Sequence, residues 1–240
     1  MKRQIPNLIT LCNLLCGGAA VMFAFNGYYT TTLFLVCLGA LFDFFDGFTA
    51  RLLGVSSPIG KELDSLADDI TFGLAPAAIC CSLLADTPQA AQSDWGSLLF
   101  PYLGLIIAAA SAYRLAKFNL DERQTMGFIG LPTPANALFW TALAVGAGDW
   151  LTEQSYAVWL LLGGIVLSAY LLVSEIPMFA LKFKTFGVRG NELRYGFLAV
   201  AAVLIVWQGL TGLALVVPLY IAMSVIAALA TKQDKPHSAL

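Results

Sequence analysis

Residues 30–85 read TTTLFLVCLGALFDFFDGFTARLLGVSSPIGKELDSLADDITFGLAPAAICCSLLA. Two apolar runs, 30–50 and 65–85, are each long enough to cross a bilayer as a helix, which takes about 20 residues. Asp43, Asp46, Asp64 and Asp68 sit inside these runs or at their edge, on either side of a turn. An ionisable residue within a span is expensive and marks a functional site by default. The stretch therefore reads as two membrane helices joined at one surface, with their acids drawn together.

The rest of the chain agrees. Of its 240 residues, 59% are hydrophobic and 12% charged, against about 25% charged in a soluble domain. Mean hydropathy is +0.78. Too little polar surface remains to cover a water-facing globule, which sets aside a soluble enzyme, a nucleic-acid binder and a disordered regulator. Span-sized windows fall at 8–26, 30–50, 65–85, 97–118, 132–149, 155–173, 194–208 and 210–230. The last two, joined by Gln208-Gly209, are also readable as one broken element. The expected fold is an all-α polytopic bundle of about eight transmembrane helices. Residues 1–231 would form one domain and 232–240 a polar tail.

The cations then set the orientation. All 13 Lys and Arg fall on alternate connections: Lys2 and Arg3; Arg51 and Lys61; Arg114, Lys117 and Arg123; Lys182, Lys184, Arg189 and Arg194; Lys232 and Lys235. The other connections carry Asp86, Asp94, Asp149 and Glu153 and no cation. The positive-inside rule places both termini and the acidic site at the cytoplasmic face, of the inner membrane if the source is bacterial. A signal peptide is the competing reading of residues 1–26, but the apolar run exceeds a usual h-region and no A-x-A site closes it. The single histidine, His237, sits in the tail, which sets aside zinc sites and triads built on histidine. The 5 cysteines lie within spans without C-x-x-C spacing and read as small apolar packers.

On a helix each residue advances about 100°. Asp43, Asp46, Gly47 and Ala50 then share one stripe, with Arg51 at its edge. Gly60, Asp64, Ala67, Asp68 and Thr71 share a stripe on the next helix, while Glu62 and Asp69 point away. The loop Gly54 to Pro58 turns the chain so that the stripes face each other, and the small residues leave room for a ligand. Carboxylates gathered in this way cannot all stay ionised without a cation. Oxygen-only ligands favour Mg²⁺, Mn²⁺ or Ca²⁺. A pair of such ions would balance the four aspartates and is a common clamp for a phosphoryl group. Arg51 is placed to meet phosphate. The bland alternative, carboxylates as solvated helix caps, suits any one of these residues better than the whole matched set. A divalent-cation transporter is a further alternative, but its polar residues should continue through the membrane, and here the acids gather at one end.

Asp43-x-x-Asp46-Gly47-x-x-Ala50-Arg51, followed at fixed spacing by Gly60, Asp64 and Asp68, resembles the full signature of the CDP-alcohol phosphotransferases. The resemblance implies an integral membrane enzyme, usually a homodimer, with two Mg²⁺ or Mn²⁺ ions held by Asp43, Asp46, Asp64 and Asp68. It implies that Asp68 deprotonates the acceptor hydroxyl, that Gly47, Ala50 and Gly60 line a cytidine pocket, and that Arg51 holds the pyrophosphate. Pro6-Asn7-x-x-Thr10 is similar to a family element near the nucleotide.

Outside the signature the chain resembles the phosphatidylserine synthases of that family. The matching blocks are Phe72-Gly73-x-Ala75-Pro76-Ala77, Arg114-Leu115-Ala116-Lys117-Phe118-Asn119, Phe128 to Ala135, and Ile176-Pro177 followed by Lys182. They place the catalytic core at about residues 5–185, with CDP-diacylglycerol and serine as the implied substrates. Lys117 stands where arginine is more usual, which keeps the charge and loses the planar fork. Arg114, Lys117 and Arg123 are available for the serine carboxylate, with Asn119 beside them; alternatively these cations only fix topology or touch lipid headgroups. Another acceptor, such as glycerol 3-phosphate or an inositol phosphate, remains open.

Overall fold

The structure is a computed structural model that describes residues 2, 4–92, 94–121, 128–179, 187 and 191–233. Arg3, Arg123, Lys182, Lys184, Arg189, Lys235 and His237 lie outside the described residues. In a bilayer the backbone must satisfy its own polar groups, and apolar runs do so as helices. Helices α1 (Gln4–Phe25) and α2 (Tyr29–Leu53) form a packed hairpin. α2 stops at Gly54, whose φ of 61° belongs to the left-handed region, where only glycine sits without strain. There the N–H of Val55 closes onto the Ala50 carbonyl at 3.0 Å. α3 (Pro58–Asp68) starts at once, with Ser57 as its N-cap and Pro58 in the first turn.

α3 runs on through a π-helical turn, Asp69–Leu74, into α4 (Ala75–Ala85). The central core forms around α4, where Ala77, Ile79, Cys80 and Leu84 pack against Ile107, Trp140 and Leu161. Two short helices come next, α5 (Pro88–Ala91) and α6 (Asp94–Leu99). A 3₁₀ turn at Pro101–Leu105 then leads into α7 (Ile106–Leu120). The remaining helices are α8 (Thr133–Glu153), α9 (Ala157–Val173), α10 (Glu192–Gln208) and α11 (Gly212–Gln233). α8 begins at Thr133-Pro134, where the sequence places a start signal. α10 and α11 are joined by a 3₁₀ turn at Gly209–Thr211 and pack against each other. They are thus a hairpin rather than one broken element. α11 also runs to Gln233, into the segment expected as tail.

Among the described residues, five helical stretches are long and apolar enough to cross a membrane: Gln4–Phe25, Tyr29–Leu53, Pro58–Ala85, Asp94–Leu120 and Glu192–Leu229. Ala157–Val173 is a shorter apolar helix. Large apolar side chains such as Phe34, Leu52 and Val206 face outward, the pattern of a surface solvated by lipid. Trp95 and Trp150 are also exposed, as interfacial anchors would be.

A short extended clasp interrupts the helices. Strands β1 (Phe128–Ile129) and β2 (Pro177–Met178) pair antiparallel, Phe128 opposite Met178. Gly130 beside them has φ 75°, and a Cβ there would lie 2.7 Å from the Leu172 carbonyl oxygen. The clasp ties the start of α8 to the end of α9.

Glycine also sets how closely the helices approach. A Cβ on Gly104 would lie 2.7 Å from the Cys81 backbone nitrogen, whereas one on Gly163 would meet nothing within 4 Å. Gly104→Val should therefore destabilise the fold by about 1–3 kcal/mol, and Gly163→Ala should leave it unchanged. Thermal unfolding in detergent measures both.

Candidate active site

Asp43, Asp64 and Asp68 each place a carboxylate oxygen so that all these atoms lie within 4.8 Å of one another. The expected geometry produces this. Asp43 projects from α2, Asp64 and Asp68 lie one turn apart on α3, and the Gly54–Ser57 turn folds the two helices together. Asp46 is only 6% exposed. Its Oδ2 accepts a 2.5 Å hydrogen bond from the Thr10 hydroxyl, so Asp46 stands beside the trio on the side of α1. The π turn begins immediately after Asp68 and separates it from Asp69. The Asp69 carboxylate faces α7 instead: a Cβ on Gly73 would meet both Asp69 Oδ1 and Ser111 Oγ.

A cavity of about 260 Å³ adjoins these acids. Its walls are Pro6, Asn7 and Thr10 of α1, Asp46, Gly47 and Ala50 of α2, Val55, Ser56 and Ser57 of the turn, and Gly60, Lys61 and Asp64 of α3. Asn7, Thr10, Gly47, Ala50 and Gly60 are thus gathered around one space, as the signature leads one to expect. Gly60 keeps this wall open, because a Cβ would crowd Ser57 Oγ at 3.0 Å and Asn7 Oδ1 at 3.2 Å. The Arg51 guanidinium lies beside Gly47, 3.5 Å from where a Cβ would be, at the exposed edge.

The cations and amides of α7 divide into different roles. Arg114 is 7% exposed, and its Nε has no hydrogen-bond partner among the described residues. Its charge acts on Asp68 and on Tyr220 of α11, and Phe118 lies under the guanidinium at 5.8 Å. A guanidinium buried this deeply with its Nε unpaired is costly unless an anion completes it. Lys117 is instead ion-paired to Glu175 at 3.1 Å, on the surface. Asn119 joins helices: its Nδ2 donates to Ser65 Oγ at 2.7 Å, and its carbonyl accepts from Lys61 Nζ at 2.9 Å. Lys117 and Asn119 therefore do not converge with Arg114 on one space.

Sequence reading passed over Asn13, Lys61 and Tyr220. Asn13 is fully buried and donates from Nδ2 to Asp68 Oδ1 at 3.1 Å. A polar stripe Asn7, Thr10, Asn13 on an otherwise apolar helix was the available signal. Lys61 was counted only for topology, and nothing in the sequence links Tyr220 to a site so far upstream.

The donor set suits a hard divalent cation. It offers only oxygen, carries more negative charge than the surroundings balance, and no Lys or Arg forms an ion pair with the trio among the described residues. Mn²⁺ or Mg²⁺ added to the substrate-free protein should raise its unfolding temperature, and Asp64→Asn should abolish the rise. At a hundredfold excess over Kd the gain is about 2.7 kcal/mol. An unchanged transition in the wild type would remove the metal assignment.

The family model described as CDP-alcohol phosphatidyltransferase matches residues 3–231. Among curated relatives, proteins named CDP-diacylglycerol--serine O-phosphatidyltransferase recur. The one from Bacillus subtilis is 35% identical over 135 residues, covering 54% of this chain and 69% of that protein. The one from Helicobacter pylori J99 is 30% identical over 177 residues, covering 71% of this chain and 70% of its own length. With the Mycobacterium leprae relative the identity is 31% over 187 residues, 72% of this chain. There the chain spans 57% of the relative's length.

Proposed function

The chain belongs to the CDP-alcohol phosphatidyltransferase family, and from that footing we propose that it transfers the phosphatidyl group of CDP-diacylglycerol to the hydroxyl of L-serine. The products are phosphatidylserine and CMP. The carrying observation is the buried, incompletely bonded Arg114 beside Asp68. On this reading Arg114 is a receptor for a small carboxylate and Asp68 the base beside it, with Asp64 linking them to the cavity that takes the donor. The names of the relatives support the same acceptor.

Each residue then has a task. The cavity between α1, α2 and α3 takes the CDP moiety, with Gly47, Ala50 and Gly60 leaving room for it. Asn7 and Thr10 line its far wall. Arg51 and Lys61 meet the pyrophosphate from either side, while the acyl chains stay in the bilayer. Asp43, Asp46, Asp64 and Asp68 would hold divalent cations, Mg²⁺ or Mn²⁺ and two in number by charge balance, and these supply neutralisation of the pyrophosphate. Arg114 holds the serine carboxylate so that the hydroxyl lies toward Asp68. Asp68 accepts the hydroxyl proton as the oxygen bonds to the phosphorus bearing diacylglycerol. The bond from that phosphorus to the bridging oxygen breaks, and CMP leaves with the electron pair. Positioning and charge stabilisation supply most of the acceleration.

Residues 1–231 are read as one catalytic domain, a reading supported by the extent of the family match. Counting α8 and α9 with the stretches above, and α10 and α11 separately, supports eight spans. The distribution of Lys and Arg then supports cytoplasmic termini and a cytoplasmic active site, at the inner membrane if the source is bacterial. A homodimer rests on the family resemblance alone.

Purified protein with CDP-diacylglycerol and Mn²⁺ or Mg²⁺ should release CMP on addition of serine, and not with glycerol 3-phosphate or an inositol phosphate. Release with another acceptor alone would keep the family and discard the serine assignment. Asp68→Asn should lower kcat by about 10²–10⁴-fold, the usual share of a general base, while still binding the donor. Arg114→Met should lower kcat/KM for serine by roughly ten- to a hundredfold, the worth of a charge-assisted hydrogen bond of about 1.5–3 kcal/mol. Its donor KM should stay unchanged.

A further inference from the structure

Asp68 is held by one side chain. Asn13 of α1 donates from Nδ2 to Asp68 Oδ1 at 3.1 Å and is itself completely buried. Its backbone carbonyl accepts a 3.0 Å hydrogen bond from the Thr71 hydroxyl, inside the π turn that begins one residue after Asp68. The same Thr71 is wedged between two glycines. A Cβ on Gly17 would come within 2.8 Å of the Thr71 Cα, and one on Gly39 would lie 2.6 Å from Thr71 Cγ2 and 2.9 Å from Asn13 Oδ1. Asn13 is thus held at two points, its side-chain N–H by Asp68 and its backbone carbonyl by Thr71, while its Oδ1 has no hydrogen-bond partner among the described residues.

We propose that Asn13, locked by Thr71 between Gly17 and Gly39, is a positioning residue that fixes which oxygen of Asp68 faces the acceptor. An ionised carboxylate has two equivalent oxygens and a rotatable bond. A donor committed to Oδ1 removes that rotation and leaves Oδ2 to face the acceptor or a bound cation. Asn13 is not among the residues lining the donor cavity, so its effect falls on turnover and not on donor capture. The inference rests on the reading of Asp68 as the acceptor-activating base.

Asn13→Asp keeps the shape of the side chain and replaces the donor by an acceptor. It and Asn13→Ala should lower kcat by about 10–100-fold, the usual cost of removing a partner that orients a site residue, with KM for CDP-diacylglycerol changed less than about twofold. Wild-type turnover by Asn13→Asp, or a parallel loss of donor KM and kcat, would overturn the proposal. Thr71 gives an independent arm should the Asn13 variants fail to fold. Thr71→Ser keeps the hydroxyl and should retain turnover, whereas Thr71→Val loses it and should be slow. Equal rates for the two would overturn the proposal. The wild type in the same assay separates the readings: serine-independent protein sinks the proposed function, while active wild type with equally active variants sinks only the role of Asn13.

Discussion

Negative charges held close together inside an apolar bundle are the constraint on which the rest of this molecule depends. Two like charges about 4 Å apart repel by roughly 4 kcal/mol at the effective dielectric of a protein surface, and Asp43, Asp64 and Asp68 crowd to within 4.8 Å. Nothing in the apolar side chains around them offsets that repulsion. Protonation or a bound cation has to relieve that repulsion, and rigid elements impose the arrangement: a helix hairpin turned by Gly54, a capped start at Ser57, and a first helix that supplies hydrogen-bond donors. Thr10 serves Asp46 and Asn13 serves Asp68. α1 is thus the partner that makes an acidic pair of helices tolerable.

Close approach carries the same logic into the packing. Lipid does not drive helices together as water does, so association relies on small residues that let backbones meet. Gly17, Gly39 and Gly104 each stand where a methyl group would strike a neighbour. The π turn belongs to this set. An extra residue in one helical turn rotates the side chains of every later turn, so the π turn at Asp69–Leu74 sets how the side chains of α4 are directed relative to the acids of α3. A regular helix would leave these directions coupled.

Much of this was legible in the residues. Apolar length marks the membrane helices, and the i,i+3 and i,i+4 spacing of the acids places them on facing stripes. Pro6-Asn7-x-x-Thr10, Gly47, Ala50 and Gly60 are in one cavity wall because helical periodicity and a short turn leave few other outcomes. The unread parts share a cause, which is that they depend on contacts between segments distant in the chain. Asn13 finds its partner 55 residues on. Lys117, a candidate for substrate, is claimed by Glu175. The β1–β2 clasp needs a glycine at 130 that reads from sequence only as a turn, and the π turn at Asp69 has no local signal that distinguishes it from α-helix. Gln208-Gly209 was ambiguous for the same reason, since only the packing of α10 on α11 shows that the chain doubles back.

The walls of the cavity come from residues 6 to 64 alone, whereas Arg114, whose charge acts on Asp68, comes from much later in the chain. On the proposed reading, the part of the site that takes the donor is therefore a nearly self-contained unit of three consecutive helices, and Arg114 joins it from a later one. During synthesis the cavity walls and Asp68 thus leave the ribosome before Arg114 exists.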